Sequence, residues 1–280
     1  MTPKTILLSA AALFFAGCTD SEASHAADSA TLSGQVVLTG SSTIAPLVAA
    51  AAERFEAVHP GVRIDVQSGG SSRGIADAGR KLADIGMTSR ALKPGEGTEL
   101  TQHLLANDGV GFVVHSSNPV QRLTKQQALD IYTGAIKSWS DLGGLSKPIV
   151  VINRPAGRSE LDLTAKYFDI EAGDMVADVI GGENQQAVKL IAGNPDAIAY
   201  LSLGTAHFEI AAGTELKLLD LDGVAATPAA VASGSYPLAR PLILVTNGEL
   251  EQGAQAFLNE LLSPASDDLI REQSFVIPTR

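Results

Sequence analysis

The stretch Val62-Arg63-Ile64-Asp65-Val66-Gln67-Ser68-Gly69-Gly70-Ser71-Ser72-Arg73-Gly74-Ile75 carries three signals in succession. Val62, Ile64 and Val66 alternate with polar residues, the period of a strand with one buried face. Ser68 to Ser72 is a loop of glycine and serine, and Ile75 to Leu82 continues as a helix. The stretch also spells Gly70-x-Ser72-x-Gly74, the pattern of a hydrolase nucleophile elbow. A strand-to-helix loop of this kind either presents a nucleophile or binds an anion on the free backbone N–H groups of the helix start. The rest of the chain decides between them.

Two further segments repeat the unit. Upstream, Val36-Val37-Leu38 leads into Thr39-Gly40-Ser41-Ser42-Thr43, after which Ile44, Leu47, Val48, Ala51, Phe55 and Val58 recur at helical spacing. Ser42 or Thr43 is the expected N-cap, and Pro60-Gly61 closes the helix. Downstream, Pro148 to Ile152 reads as a buried strand, Asn153 to Gly157 as a loop and Arg158 to Phe168 as a helix. Ser159-x-x-Asp162 there forms a capping-box-like start.

Strands alternating with helices indicate an α/β fold with mostly parallel sheets. Ligands of such sheets sit beyond the carboxyl ends of the strands, where helix N-termini converge. A serine or threonine before a helix is ordinarily only a cap. Three loops of the same chemistry, one of them containing Arg154, point instead to an anion held by segments distant in sequence.

The nucleophile reading of Ser72 fares poorly. A hydrolase elbow follows several strands and is followed by an acid and a histidine, but only ~35 ordered residues precede Ser72. His25 lies near the amino terminus, and His59, His103, His115 and His207 have no catalytic context. No phosphate-binding G-x-x-x-x-G-K-[ST] and no zinc-ligand cluster occurs, so neither a cofactor nor a metal is expected.

The ends and the composition set the remaining bounds. Lys4 precedes an apolar run from Ile6 to Ala16 that is too short for a mature membrane span. It ends in Phe15-Ala16-Gly17-Cys18, similar to a lipoprotein processing site, with the chain's one cysteine at its end. We expect residues 1–17 to be a lipoprotein signal peptide, Cys18 to be lipidated and residues 18–34, poor in large apolar groups, to form a disordered tether. The body that remains, 45% hydrophobic and 18% charged over the whole chain, has no later membrane-span candidate. A net charge of −11 argues against a nucleic-acid partner but leaves a local anion site open.

Taken in order, "TGSSTIAPL", "VQSGGSSRGI", "ADIGMTSR", "ALDIYTGAIKSWSDLGG", "IVVINRPAGRSELDLTAKYF", "NPDAIAYLSLG" and "SYPLARPLILVT" give the chain a close resemblance to the phosphate-binding proteins of ABC transporters, the PstS family, over about residues 35–280. The resemblance implies a two-lobed type II periplasmic-binding-protein fold with a ligand cleft between the lobes. Residues 35–115 and 236–280 are expected to form lobe one and 116–235 lobe two, with Gly111 to His115 and Arg240 to Val245 carrying the crossings. It implies a phosphate site built from Ser42, Thr43, Ile44, Ser71, Ser72, Ser89, Arg154, Arg158, Ser159 and Glu160, with Arg154 as the guanidinium that grips the ligand. Ser89 stands where the family commonly has an aspartate, Ala156 where it has an acid that orients the arginine, and Glu160 where it usually has threonine. Glu160 either points into the cleft as a proton acceptor or faces solvent as a helix-dipole residue. Trp139 is either a ligand platform or a packing residue, and Arg73 and Arg90 are expected at the surface or between the lobes. The function implied is that of an exported, lipid-anchored, monomeric binding protein. It would capture inorganic phosphate for ABC permease subunits, in the periplasm or at the cell surface. The alternatives are a secreted serine phosphoesterase using Ser72, and a phosphate sensor or surface protein on the same fold.

Overall fold

The computed structural model describes residues 32–279. The signal segment, Cys18, His25 and most of the expected tether lie outside the described residues. Leu32, placed in the tether from sequence, packs against the first core, and the backbone N–H of Gly34 donates to the Gly61 carbonyl at 3.0 Å.

Chain order begins β1 (Gly34–Gly40), α1 (Ala45–Val58), β2 (Val62–Ser68), α2 (Ser71–Gly79), β3 (Ile85–Thr88) and the long β4 (Thr101–His115). It continues β5 (Arg122–Leu123), α3 (Lys125–Tyr132), β6 (Val150–Asn153), α4 (Ser159–Phe168), β7 (Val179–Ile180), α5 (Asn184–Ala192), β8 (Ala197–Ser202) and α6 (Leu203–Ala211). The remainder is β9 (Leu216–Leu218), β10 (Asp220–Leu221), α7 (Pro228–Ala232), β11 (Ala239–Thr246), α8 (Gln252–Leu262) and α9 (Asp267–Glu272).

The main sheet runs β2-β1-β3-β11-β4-β8-β6-β7, with β9 beside β4. The strands expected to be parallel are so: β1 pairs parallel with β2 and β3, and β6 with β7 and β8. The antiparallel contacts lie in the middle, where β11 pairs with β3 and β4, and β4 with β8 and β9. β4 holds β11 up to Gly109 and changes to β8 from Val110.

That change of partner separates two cores. Val36, Leu38, Phe55, Ala106, Leu244 and Phe257 belong to the first. Val110, Phe112, Tyr132, Trp139, Phe168 and Tyr200 belong to the second. A smaller cluster around Val113, Ile191 and Leu201 covers the other face of the same sheet. The core changes between Ala106 and Val110 on β4, so residues 110–115, put in lobe one from sequence, pack with lobe two. Trp139 is 2% exposed and donates Nε1–H to the Asp196 carbonyl at 2.9 Å, which makes it a packing residue. Val58, the last residue of the helical spacing, is exposed.

Each repeated unit forms, but none of its expected side-chain caps does. The N-cap of α1 is Ile44, with no side-chain cap; that of α4 is Arg158, and Ser159 is already helical. The N-cap of α2 is Gly70, whose φ of +94° suits a residue without a Cβ. The Thr43 and Ser159 hydroxyls bond to residues distant in sequence instead. Gly74 explains the last glycine of the elbow-like pattern: a Cβ there would lie 2.6 Å from the Met87 carbonyl oxygen, 2.7 Å from that of Thr39 and 2.9 Å from the Gly40 Cα. Helix α2 thus crosses β1 and β3 backbone to backbone.

Helix propensity alone would make Gly74→Ala stabilising by up to about 1 kcal/mol. Against rigid backbone the overpacking cost of about 1–3 kcal/mol dominates. A lower urea midpoint is expected for Gly74→Ala, and an unchanged or higher midpoint would show that α2 can lift off the sheet.

Candidate functional site

The two strands that pass between the cores carry one charge each at the crossing. Arg240 of β11 lies directly opposite Asp108 of β4 in the antiparallel register. Both are buried, with side chains 1% and 0% exposed. Asp108 Oδ2 accepts from Arg240 Nη2 at 2.9 Å and Nε at 3.2 Å, while Oδ1 accepts from the Gly204 backbone N–H at the start of α6 at 3.0 Å. A buried guanidinium left unpaired would be strongly destabilising, so each of its edges needs an acceptor.

The other edge faces the loops. Arg240 Nη1 donates to Glu160 Oε1 and Ser159 Oγ, both at 3.0 Å, and reaches Ser89 Oγ at 3.4 Å. Nη2 also donates to Thr43 Oγ1 at 3.0 Å. Around it the hydroxyls join one another. Ser89 Oγ lies 2.7 Å from Ser159 Oγ, 3.0 Å from Ser41 Oγ and 3.4 Å from Ser71 Oγ, and Ser71 Oγ accepts from the Ser89 N–H at 3.0 Å. Thr43 Oγ1 donates to Glu160 Oε1 at 3.1 Å and accepts from Asn184 Nδ2 at 3.0 Å. The hydroxyls expected to cap helices bond across the lobes instead, which is why the caps fail.

Glu160 is 4% exposed, so the solvent-facing reading of this residue is overturned. Burial pushes its pKa up, but Arg240 and then Arg154 outweigh that and hold it at about 2, against an ordinary value of 4.5. Burial likewise works against the Arg240 charge, and Glu160 and Asp108 more than offset it.

Arg154, also buried, does not face this cluster with its donors. Nε donates to the Tyr200 carbonyl at 3.3 Å, Nη1 to those of Gly181 and Glu183 at 3.0 and 2.9 Å, and Nη2 to Asn184 Oδ1 at 2.6 Å. It fixes Asn184, which in turn holds Thr43. Thr43, Ser71, Ser89, Ser159 and Glu160 therefore converge, and Ile44 supplies the N-cap backbone of α1 while its side chain enters the first core. Ser42, Ser72 and Arg158 do not join them. Ser42 is half-buried, Arg158 pairs with Glu183 at 2.6 Å, and Ser72 Oγ receives Arg90 Nη2 at 3.4 Å. Arg73 pairs with Asp77 on its own helix, while Arg90 joins Asp162 of α4. Sequence reasoning missed Arg240, Asp108 and Asn184 as site residues. Lone charges inside the apolar runs Leu104–Val114 and Leu238–Val245 were the signal for the first two; nothing in the sequence marked Asn184.

Two α/β lobes joined by crossing strands, with a polar cluster between them, define the class of periplasmic-type binding proteins. A family model described as a PBP superfamily domain matches residues 25–265. The phosphate-binding protein PstS of Bacillus subtilis is 30% identical over 248 residues, covering 87% of this chain and 81% of the relative. A structure assigned as a phosphate ABC transporter substrate-binding protein of Clostridium perfringens, solved with bound phosphate, superposes with a TM-score of 0.81 at 32% identity, covering 88% of this chain and all of that one. An ABC-type phosphate transport receptor from Vibrio cholerae gives 0.69 at 27% identity, with the same coverage. The chain belongs to the PstS family of phosphate-binding proteins.

Because the folded-state pKa of Glu160 is depressed, its stabilisation is present above the unfolded value near 4.5 and is lost as pH falls towards about 2. The wild type should lose about 3 kcal/mol over that window from this group. Urea melts of Glu160→Gln should show a shallower pH dependence there, and equal slopes would mean that the carboxyl is not ionised in the cluster.

Proposed function

We propose that this protein captures a small tetrahedral oxyanion, inorganic phosphate foremost, and passes it to the permease subunits of an ABC importer. The observation that carries this reading is the buried Arg240, ringed by hydroxyls that both lobes contribute. A guanidinium and several hydroxyl donors at one point suit an anion that presents oxygens in all directions. Such charge-assisted bonds contribute about 1.5–3 kcal/mol each when well formed, offset in part by ordering and desolvation. The names of the relatives, a PstS of Bacillus subtilis and a phosphate-bound transporter protein of Clostridium perfringens, support phosphate over other oxyanions. The ligand groups are Thr43, Ser71, Ser89, Ser159 and Arg240, with the Ile44 backbone beside them, and Arg154 acts through Asn184. Ser72 serves a structural contact with Arg90, so the reading assigns no covalent step.

The protein is exported and held at a membrane by lipid on Cys18, as a monomer. Among the described residues no helix is long and apolar enough to cross a membrane.

Calorimetry with phosphate, arsenate, sulfate and molybdate tests the ligand class. Saturable phosphate binding is expected, and Thr43→Val should weaken it by about tenfold, the loss of one hydroxyl bond. Binding that ignores Thr43 would put the site elsewhere. Separately, Cys18→Ser should release the protein from membranes with its thermal midpoint unchanged; a wild type recovered unlipidated and wholly free of membranes would refute the anchor.

A further inference from the structure

The carboxylate of Glu160 stands where the donors of the cluster meet. Its Oε1 takes a hydrogen bond from Arg240 Nη1 and one from Thr43 Oγ1, and its Oε2 takes one from Ser159 Oγ at 3.3 Å. These are the same donors that an oxyanion would use. The charges of the cluster also cancel within the chain: Arg240 and Arg154 against Asp108 and Glu160. A dianion drawn to these donors would meet a second anion at bonding distance from the same guanidinium. In a buried site such like-charge proximity is strongly unfavourable, the same effect that drives apart the pKa values of paired carboxylates.

The contacts also span the molecule. Glu160 and Ser159 open α4 in the lobe that holds the second core. Thr43 and Ser89 belong to the lobe of the first core, and Arg240 to the crossing strand. In the same first turn of α4, Asp162 pairs with Lys93 at 3.0 Å and with Arg90 at 3.4 Å, both from the segment after β3. The first turn of α4 is thus bonded to the opposite lobe by Ser159, Glu160 and Asp162, and Glu160 is the more deeply enclosed of the two carboxylates.

We infer that Glu160 is an intramolecular ligand. Its carboxylate is the anion around which the two lobes close, and an external oxyanion must displace it to bind. The residue therefore does not wait as an acceptor for a ligand's proton; it competes for the ligand's donors. Two consequences separate these roles. An acceptor that is removed weakens phosphate binding, whereas a competitor that is removed strengthens it. An internal ligand that is removed also lets the lobes part, whatever the external ligand is.

The test uses the full-length chain, Glu160→Thr, which keeps a hydroxyl and drops the charge, and Glu160→Gln, which keeps the shape. Small-angle scattering in phosphate-free buffer should give a larger radius of gyration for both variants than for the wild type, with circular dichroism unchanged. Phosphate should contract the variants and leave the wild type as it was. Phosphate affinity should rise about tenfold or more in Glu160→Thr. Variants as compact as the wild type without phosphate, or phosphate binding weakened in both, would overturn the inference. If one variant fails to fold, the other decides on the same readouts, and if both fail, the wild type does: contraction of wild-type protein on adding phosphate overturns the inference, and no change upholds it. The affinity arm rests on the phosphate reading above. The scattering arm does not: if neither wild type nor variant binds any oxyanion, that reading fails, and the compaction of the wild type against the variants still judges the role of Glu160.

Discussion

A guanidinium buried at the crossing of two strands governs how this molecule is built. Arg240 cannot be desolvated without acceptors on every edge, and these are gathered from separate parts of the chain. Asp108 is its cross-strand neighbour, Glu160 and Ser159 arrive on the first turn of α4, and Thr43 comes from the loop before α1. The requirement of one side chain therefore fixes the register of β4 against β11 and the approach of two helix starts. It also explains why so many small hydroxyl residues lie in loops that cap nothing. Their bonds are tertiary.

The loops reach this point because their backbones are allowed close together. Gly74 lets α2 rest directly on the carbonyls of β1 and β3, and Gly70 takes a left-handed φ that turns the chain from strand to helix without a side chain in the way. The Gly-x-Ser-x-Gly pattern is thus accounted for by packing. Ser72 occupies its middle position and looks towards Arg90, while His59, His103, His115 and His207 are engaged elsewhere: with Phe55, Thr246, Ser117 and the Ala226 carbonyl respectively.

The periodicities of the chain were enough to locate the three strand–loop–helix units, because burial of Leu47, Val48, Ala51 and Phe55 on one helix face is a local pattern. Parallel pairing within each half followed from the alternation of elements. The failures share one cause. Caps were assigned to Ser42 or Thr43 and to Ser159 from neighbours in sequence, yet Thr43 and Ser159 bond to partners at sequence separations of 117 and 70. Arg154 drew attention because it sits in a loop, where charge is expected to serve a ligand. Arg240 and Asp108 sit in strands, where no loop chemistry marks them, although a lone charge in an apolar strand is the more costly placement and so the stronger signal. Asn184, held between Arg154 and Thr43, has no local signature at all.

The long strand β4 gives up one partner for another at Gly109–Val110, one residue from Asp108. Its ion pair with Arg240 therefore lies beside the axis about which one half could swing against the other. A bond near a pivot hardly lengthens during rotation, whereas one far from it sweeps through a long arc. A rotation there would leave the Asp108–Arg240 pair, at 2.9 Å, nearly unchanged, while the contacts of Glu160 and Asp162 with the opposite lobe join parts that the rotation would carry away from each other. The more deeply buried of the two ion pairs at this arginine thus lies within the crossing strands themselves, and the other is made between the lobes.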